Sequence, residues 1–167
     1  MSSKAEIAPR TEAQFSEAEL QAWQSFLRSH AAITRQLDAE LGHAHGLTVS
    51  ELEVMLHLEH APERRLRPSE LADRLLLTRS RISRLVDGLE HDRLVRRDSC
   101  SSDARGFFVE LTEAGRVKLH AAAPDARALV RALFSAPFSE EELATLASLL
   151  ARLPGAGAGA PCPSANG

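Results

Sequence analysis

The stretch SELADRLLLTRSRISRLVDGLEHDRLVRR (residues 69–97) restricts the fold more than any other part of the chain. It reads as a short helix over PSELADRLLL, a capping Thr78, and a longer helix over RSRISRLVDGLEHDRL. In the second helix Ile82, Leu85, Val86 and Leu89 fall on one stripe. Ser80, Ser83, Arg84 and Asp87 lie across from that stripe, with Arg81 at the side. Two strand-like runs follow, LVRR and FFVEL, joined by a polar loop over 98–106. Phe107, Val109 and Leu111 share one face of the second run. A short helix, a tight turn, a second helix with a basic and hydroxyl outer face, and a basic-tipped hairpin together describe a winged helix-turn-helix. The layout suits double-stranded DNA: the second helix fits the major groove and offers donors to base edges and phosphates, while the first braces it. Ala72 stands where the two helices would cross, and its small side chain permits close approach.

Charge is distributed accordingly. The whole chain carries a formal net charge of −3. Between Arg64 and Arg105, however, eleven arginines face seven acids, a local balance of +4 that leaves −7 on the remainder. A basic centre between acidic arms points to a polyanion site on one part of the surface; a solvated, salt-bridged surface is the alternative that charge alone leaves open.

The flanks supply long helices. Ser16 and Glu19 make a capping box, bracketed by Phe15 and Leu20 as a hydrophobic staple. Leu20, Trp23, Leu27, Ala31, Thr34, Leu37 and Leu41 then recur at helical spacing, predicting a long amphipathic helix that ends near Gly42. A second helix starts at Thr48 or Ser50, with an apolar arc of Leu52, Met55, Leu56 and Leu58 and an opposite polar face of Glu53, His57 and His60. Pro62 closes it. After Thr112, EAGRVKLHAAAPDARALVRALF predicts a helix interrupted at Pro124. The last helix opens at the Ser139/Glu142 capping box and is striped by Leu143, Leu146, Leu150 and Leu153. The order is four helices, a hairpin and two helices, so the fold class is mainly α with a small β-hairpin wing. Residues 1–14 and 154–167 are too poor in apolar side chains to fold and read as disordered tails.

Other classes fare poorly. The N-terminus lacks an apolar leader, and no run of about 18 apolar residues occurs, so the reading is cytoplasmic with no membrane partner. Cys100 and Cys162 form no CxxC pair, and there is no GxSxG elbow, P-loop or HExxH motif. The chain therefore reads as no enzyme, with no catalytic residue, no cofactor and no resident metal.

The run SELADRLLLTRSRISRLVDGLEHDRLVRR and the following DARGFFVELTEAG resemble the MarR family of winged-helix transcription factors over nearly all of residues 15–153. The Asp-x-Arg-Gly wing followed by Leu-Thr-x-x-Gly is the most specific part. The resemblance implies a single domain over 15–153, an obligate homodimer held by interlocking helices in 15–45 and 112–153, and a DNA-binding lobe over 48–111. It also implies a pseudo-palindromic operator and repression relieved by a small anionic or phenolic ligand or by an oxidant.

The expected DNA-binding residues are Thr78, Arg79, Ser80, Arg81, Ser83, Arg84, Arg97, Asp103, Arg105 and Gly106. Thr78 caps a helix start that can receive a phosphate. Arg84 and Ser80 are placed for base edges, and Arg79, Arg81 and Ser83 for phosphates or bases. Arg105, extended by Asp103, is placed in the minor groove, where a guanidinium reads groove width. Arg96 and Arg97 alternate across a strand, and Arg97 is the one expected to face DNA. Arg64, Arg65 and Arg67 can reach flanking backbone or stay in solvent.

An effector pocket is expected, if one exists, at Trp23, Glu53, His57 and His60. Trp23 is equally a core or interface side chain. A urate-responsive branch of the family pairs such a tryptophan with an acid and an arginine seven apart on the next helix; here Glu53 and His60 stand in those places. Zinc held by the same face with His30, His43 or His45 is a second reading. Thiol sensing at Cys100 is a third, although peroxide-sensing relatives carry their cysteine on the first helix. A nonspecific architectural DNA-binding protein remains the alternative class.

Overall fold

The structure is a computed structural model that describes residues 15–99 and 107–155. Its centre is helix α2 (Val49–Glu59), which buries Leu52, Val54, Met55, His57 and Leu58 on several sides. Thr48, not Ser50, is its N-cap, and Thr48 and Glu51 complete a reciprocal capping box. The Val49 N–H also donates to Asp38 Oδ1 at 2.7 Å, which ties the start of α2 to the preceding helix.

That preceding helix, α1 (Glu17–His45), is capped by Ser16 and Glu19. It runs past Gly42 and stops at Gly46, whose φ of 62° lies in the left-handed region. Gly42 therefore sits inside the helix, and the termination expected there falls four residues later, where a Cβ-free residue is needed. Only the C-terminal part of α1 meets the core, through Leu37 and Leu41. Phe15, Leu20, Trp23, Phe26 and Leu27, at and beyond its other end, are exposed.

After α2 a short 3-10 turn (Pro62–Arg64) leads into strand β1 (Arg65–Leu66), then α3 (Pro68–Leu75) and α4 (Arg79–His91). Leu76 closes α3 in the left-handed conformation with φ 53°, and Thr78 opens α4. Strands β2 (Val95–Ser99) and β3 (Phe107–Leu111) pair antiparallel, Arg97 opposite Val109 and Val95 opposite Leu111. β1 adds to the far side of β3, giving the order β1-β3-β2. Sequence spacing predicts only the two-stranded hairpin, because two residues cannot display alternation. Ile82, Val86 and Leu89 of α4, Leu71 and Ala72 of α3, and Val109 and Leu111 of β3 join α2 in one core.

The Leu-Thr-x-x-Gly segment has a structural reason. Thr112 Oγ1 donates to the carbonyls of Arg93 (2.8 Å) and Leu94 (3.0 Å) and accepts from Gly115 N–H at 3.0 Å, joining the base of the wing to the next helix. A Cβ on Gly115 would lie 2.1 Å from the Leu94 carbonyl oxygen. This helix, α5 (Glu113–Val130), passes through Pro124 without a break, contrary to the interruption expected from sequence. Proline removes its own N–H from the helical ladder, but Ala122 and Ala126 are buried on either side of it and hold the course of the helix. A π-helical turn (Arg131–Ser135) and α6 (Glu140–Leu150) complete the described chain. α6 has no buried residue, and Phe134, Phe138, Leu149 and Leu153 are exposed. Among the described residues no helix is long and apolar enough to cross a membrane.

Candidate nucleic-acid interface

The N-terminal half of α4 forms an outward-facing basic surface. Ile82, Val86 and Leu89 anchor the helix, so the intervening positions are turned outward: Arg79, Ser80, Arg81, Ser83 and Arg84 are all exposed. Thr78 Oγ1 accepts the Arg81 N–H at 3.3 Å and lies 3.2 Å from Ser80 Oγ. No acidic residue stands in the first turn, so the partial positive charge of the helix start is uncompensated from within. Arg84 Nε donates to the Ser80 carbonyl at 3.3 Å, which draws its guanidinium along the helix toward the N-terminus. Arg81 Nη2 lies 3.5 Å from Ser50 Oγ on α2, a link across elements that sequence spacing could not show.

Among the described residues, Arg79, Arg81 and Arg84 have no carboxylate within ion-pairing distance. The arginines of the sheet behave differently. Arg96 pairs with Glu110 at 2.8 Å, and Arg65 pairs with Glu63 and, at 3.6 Å, with Asp98. Arg65 and Arg67 also stack over the Phe108 ring at 4.8 and 5.0 Å. Arg97, expected to be available to DNA, instead has its guanidinium between Asp87 and Glu90 of α4, with Nη1 at 2.6 Å from Glu90 Oε2. Among the described residues, the arginines at the start of α4 thus lack the carboxylate partners that those of the sheet possess, an asymmetry invisible in a count of arginines. Asp103, Arg105, Gly106 and Cys100 lie outside the described residues.

The residues considered for an effector or metal are not gathered at one point. Trp23 is 52% exposed and stacks on Phe26, ring centroids 6.3 Å apart. Along α1 it lies about 22 Å, at ~1.5 Å per residue, from Asp38, whose carboxylate accepts the Val49 N–H at the start of α2. His57 is not on a hydrated face: it is 3% exposed, and among the described residues its Nδ1 has no hydrogen-bond partner. Because α2 packs on several sides, the face opposite its main apolar arc is also buried there. Burial, with Arg74 and His60 nearby, lowers the His57 pKa. His60 is exposed, its Nδ1 2.8 Å from the Leu56 carbonyl. The Glu53 carboxyl is raised by desolvation and by the Asp38 carboxylate. Among the described residues, no group of three or more histidine, cysteine, aspartate or glutamate side chains is arranged to hold a metal.

A separate cleft of about 460 Å³ lies between the turn before β1, strand β3 and the start of α5, lined by residues including Arg64, Arg96, Glu110, Thr112 and Arg116. Its guanidinium groups are already matched: Arg96 by Glu110, and Arg64 and Arg116 by Glu59 at 3.8 and 3.5 Å.

Comparison with known proteins agrees with this geometry. A family model described as the MarR family matches residues 45–106. The repressor YetL of Bacillus subtilis is 33% identical over 97 residues, 58% of this chain and 58% of YetL, so that alignment spans little more than half of the relative. The regulator MhqR of Bacillus subtilis is 30% identical over 126 residues, covering 75% of this chain and 84% of MhqR. Among solved structures, the MarR family regulator Sco3205 of Streptomyces coelicolor, determined in complex with DNA, superposes with a TM-score of 0.79 at 31% identity, covering 84% of this chain and 88% of that one.

Proposed function

This chain belongs to the MarR family of DNA-binding transcriptional regulators, and from that premise we propose that it is a homodimeric repressor released from its operator by a small anionic or phenolic effector. The observation that carries the DNA site is the set of exposed arginines on the first two turns of α4 that, among the described residues, have no carboxylate partner. Thr78 and Arg79 meet the phosphate backbone, Ser80 and Arg84 meet base edges in the major groove, and Arg81 and Ser83 serve either. Asp103, Arg105 and Gly106 carry the hairpin tip into the adjacent minor groove.

The dimer reading rests on the uncovered apolar side chains of α1, of the π-helical turn that follows α5, and of α6 with its flanks. Leu20, Trp23, Phe26, Leu27, Phe134, Phe138, Leu149 and Leu153 are all exposed in the single chain, and large apolar side chains of this kind are what a second copy would cover. Residues 15–45 and 112–153 form the dimer frame, and 48–111 the DNA-binding lobe. Two lobes would address half-sites about 34 Å apart on a pseudo-palindrome. Effector binding among Trp23, Glu53, His57 and His60 depends on the dimer, since one chain holds Trp23 far from the other three. Action on chromosomal DNA places the protein in the cytoplasm.

The test is selection of duplexes from a random pool by purified protein, followed by footprinting and sedimentation of the complex. Enrichment of a two-fold symmetric sequence, bound by two chains and released by a phenol or aromatic acid, is the expected result. Equal binding to unrelated duplexes would replace this reading with an architectural role.

A further inference from the structure

We propose that Arg97 is a positioning residue that fixes the wing against the recognition helix, and that its ligand is the carboxylate pair Asp87 and Glu90 rather than DNA. Three contacts converge on it from α4. Its Nη2 pairs with Asp87, its Nη1 lies 2.6 Å from Glu90 Oε2, and its backbone N–H donates to Glu90 Oε1 at 3.2 Å. From the sheet side, the Phe107 ring lies 5.1 Å beneath the guanidinium carbon. Side-chain exposure is 32% for Arg97 and 35% for Glu90, so the pair is partly withdrawn from water. A planar guanidinium with forked donors can meet two carboxylates and a ring face together, whereas an ammonium cannot.

The placement explains an otherwise adverse feature of the recognition helix. Asp87 is exposed on the same helix that carries Arg79, Arg81 and Arg84, and Glu90 follows one turn later. Uncompensated, both carboxylates would oppose phosphate. Bridged by Arg97, they become the attachment of β2 to α4, and therefore set the angle between the helix in the major groove and the hairpin beside it. The joint therefore governs how β2 and β3 are held relative to the recognition helix when both approach DNA.

Charge arithmetic and positioning predict opposite signs for one variant. Removing both carboxylates by Asp87→Asn with Glu90→Gln takes two negative charges away from the DNA side. Should Arg97 bind DNA, this variant frees it and tightens operator binding. With Arg97 as the joint, the variant loosens the wing and weakens operator binding about tenfold, while affinity for a scrambled duplex stays level or rises. The measurement is titration of the full-length protein against a duplex selected from a random pool by the wild-type chain, at several salt concentrations. Thermal melts of each variant verify folding.

Two further arms complete the test. Arg97→Lys retains the charge but not the fork, and is expected to behave like Arg97→Ala. Neither should make the slope of log affinity against log salt shallower by the ~0.9 unit that loss of one phosphate contact produces. In the Asp87→Asn, Glu90→Gln background, Arg97→Ala should cost little more. Tightened operator binding by the carboxylate variant, a lysine that restores affinity, or a slope shallower by about one unit would each overturn the proposal. The inference rests on the DNA-binding reading, and the two fail separately: no duplex enriched by the wild-type chain defeats that reading, whereas an enriched duplex with additive variants defeats only this one.

Discussion

Replacing Gly115 with Ala sets two well-known effects against each other. Gly115 lies in the first turn of α5, and helix propensity alone favours alanine there by roughly 1 kcal/mol. The surroundings oppose it: the new Cβ would stand 2.1 Å from the Leu94 carbonyl oxygen and 2.9 Å from Leu111 Cδ1. Ordinary C···O contact is roughly 3.3 Å, so the start of β2 and the start of α5 must separate by about 1 Å. The Leu94 carbonyl also accepts the Thr112 N–H at 3.0 Å and the Thr112 hydroxyl at 3.0 Å. Losing those two bonds costs about 2 kcal/mol and overpacking about 1–3 kcal/mol, against the 1 kcal/mol gained from propensity. The expected net loss is about 2–4 kcal/mol, read by urea unfolding at fixed chain concentration. The neighbouring exposed Ala114→Gly serves as a control and should lose no more than about 1 kcal/mol. A Gly115→Ala chain as stable as wild type, or more so, would show that the close approach of wing base and α5 is not what requires glycine.

His57 predicts acid sensitivity. Its folded pKa is lowered by burial, then by Arg74 and His60, so the unfolded chain takes up a proton that the folded chain refuses once the pH falls below about 6.5. Stability should therefore decline below that pH, at no more than about 1.4 kcal/mol per pH unit, until the folded pKa is reached; His57→Leu should flatten the decline, and an identical pH profile would exclude His57 as its source. Pro124→Ala restores a missing N–H in the middle of the continuous helix α5, where proline costs up to about 3 kcal/mol relative to alanine. Its melting temperature should rise, and a fall would mean that the proline ring makes a contact α5 needs. Arg105→Ala should weaken operator binding and make the salt slope shallower by about one unit; unchanged affinity and slope would remove Arg105 from the site.

Local patterns carried much of the architecture. The capping boxes at Ser16 and Ser139, the Ile82, Val86 and Leu89 stripe, and the Phe107, Val109, Leu111 alternation each depend on neighbours a few residues away, and each appears in the structure where spacing placed it. Four helices, a hairpin and two helices were legible for the same reason, as were the exposed arginines opposite that stripe. Helix ends were less so: Gly42 and Pro124 look like breaks, but the chain turns only at Gly46 and the helix crosses Pro124, because packing outweighs a single residue's preference.

What one-dimensional spacing could not decide is which face meets which neighbour. His57 has the periodicity of a polar face, yet α2 is enclosed on several sides and buries it. β1 is two residues long and exists only because β3 has a free edge to pair. The arginines of residues 64–97 are indistinguishable as charges; position in three dimensions divides them. Arg97 meets Asp87 and Glu90, ten and seven residues away, Arg96 meets Glu110 across the hairpin, and Arg79, Arg81 and Arg84 meet no carboxylate among the described residues. Composition and period thus determined that a basic helix would be presented to solvent. Only the packing of strands against that helix decided which of its charges are already neutralised, since ion pairing depends on distances of a few ångströms that sequence separation does not encode.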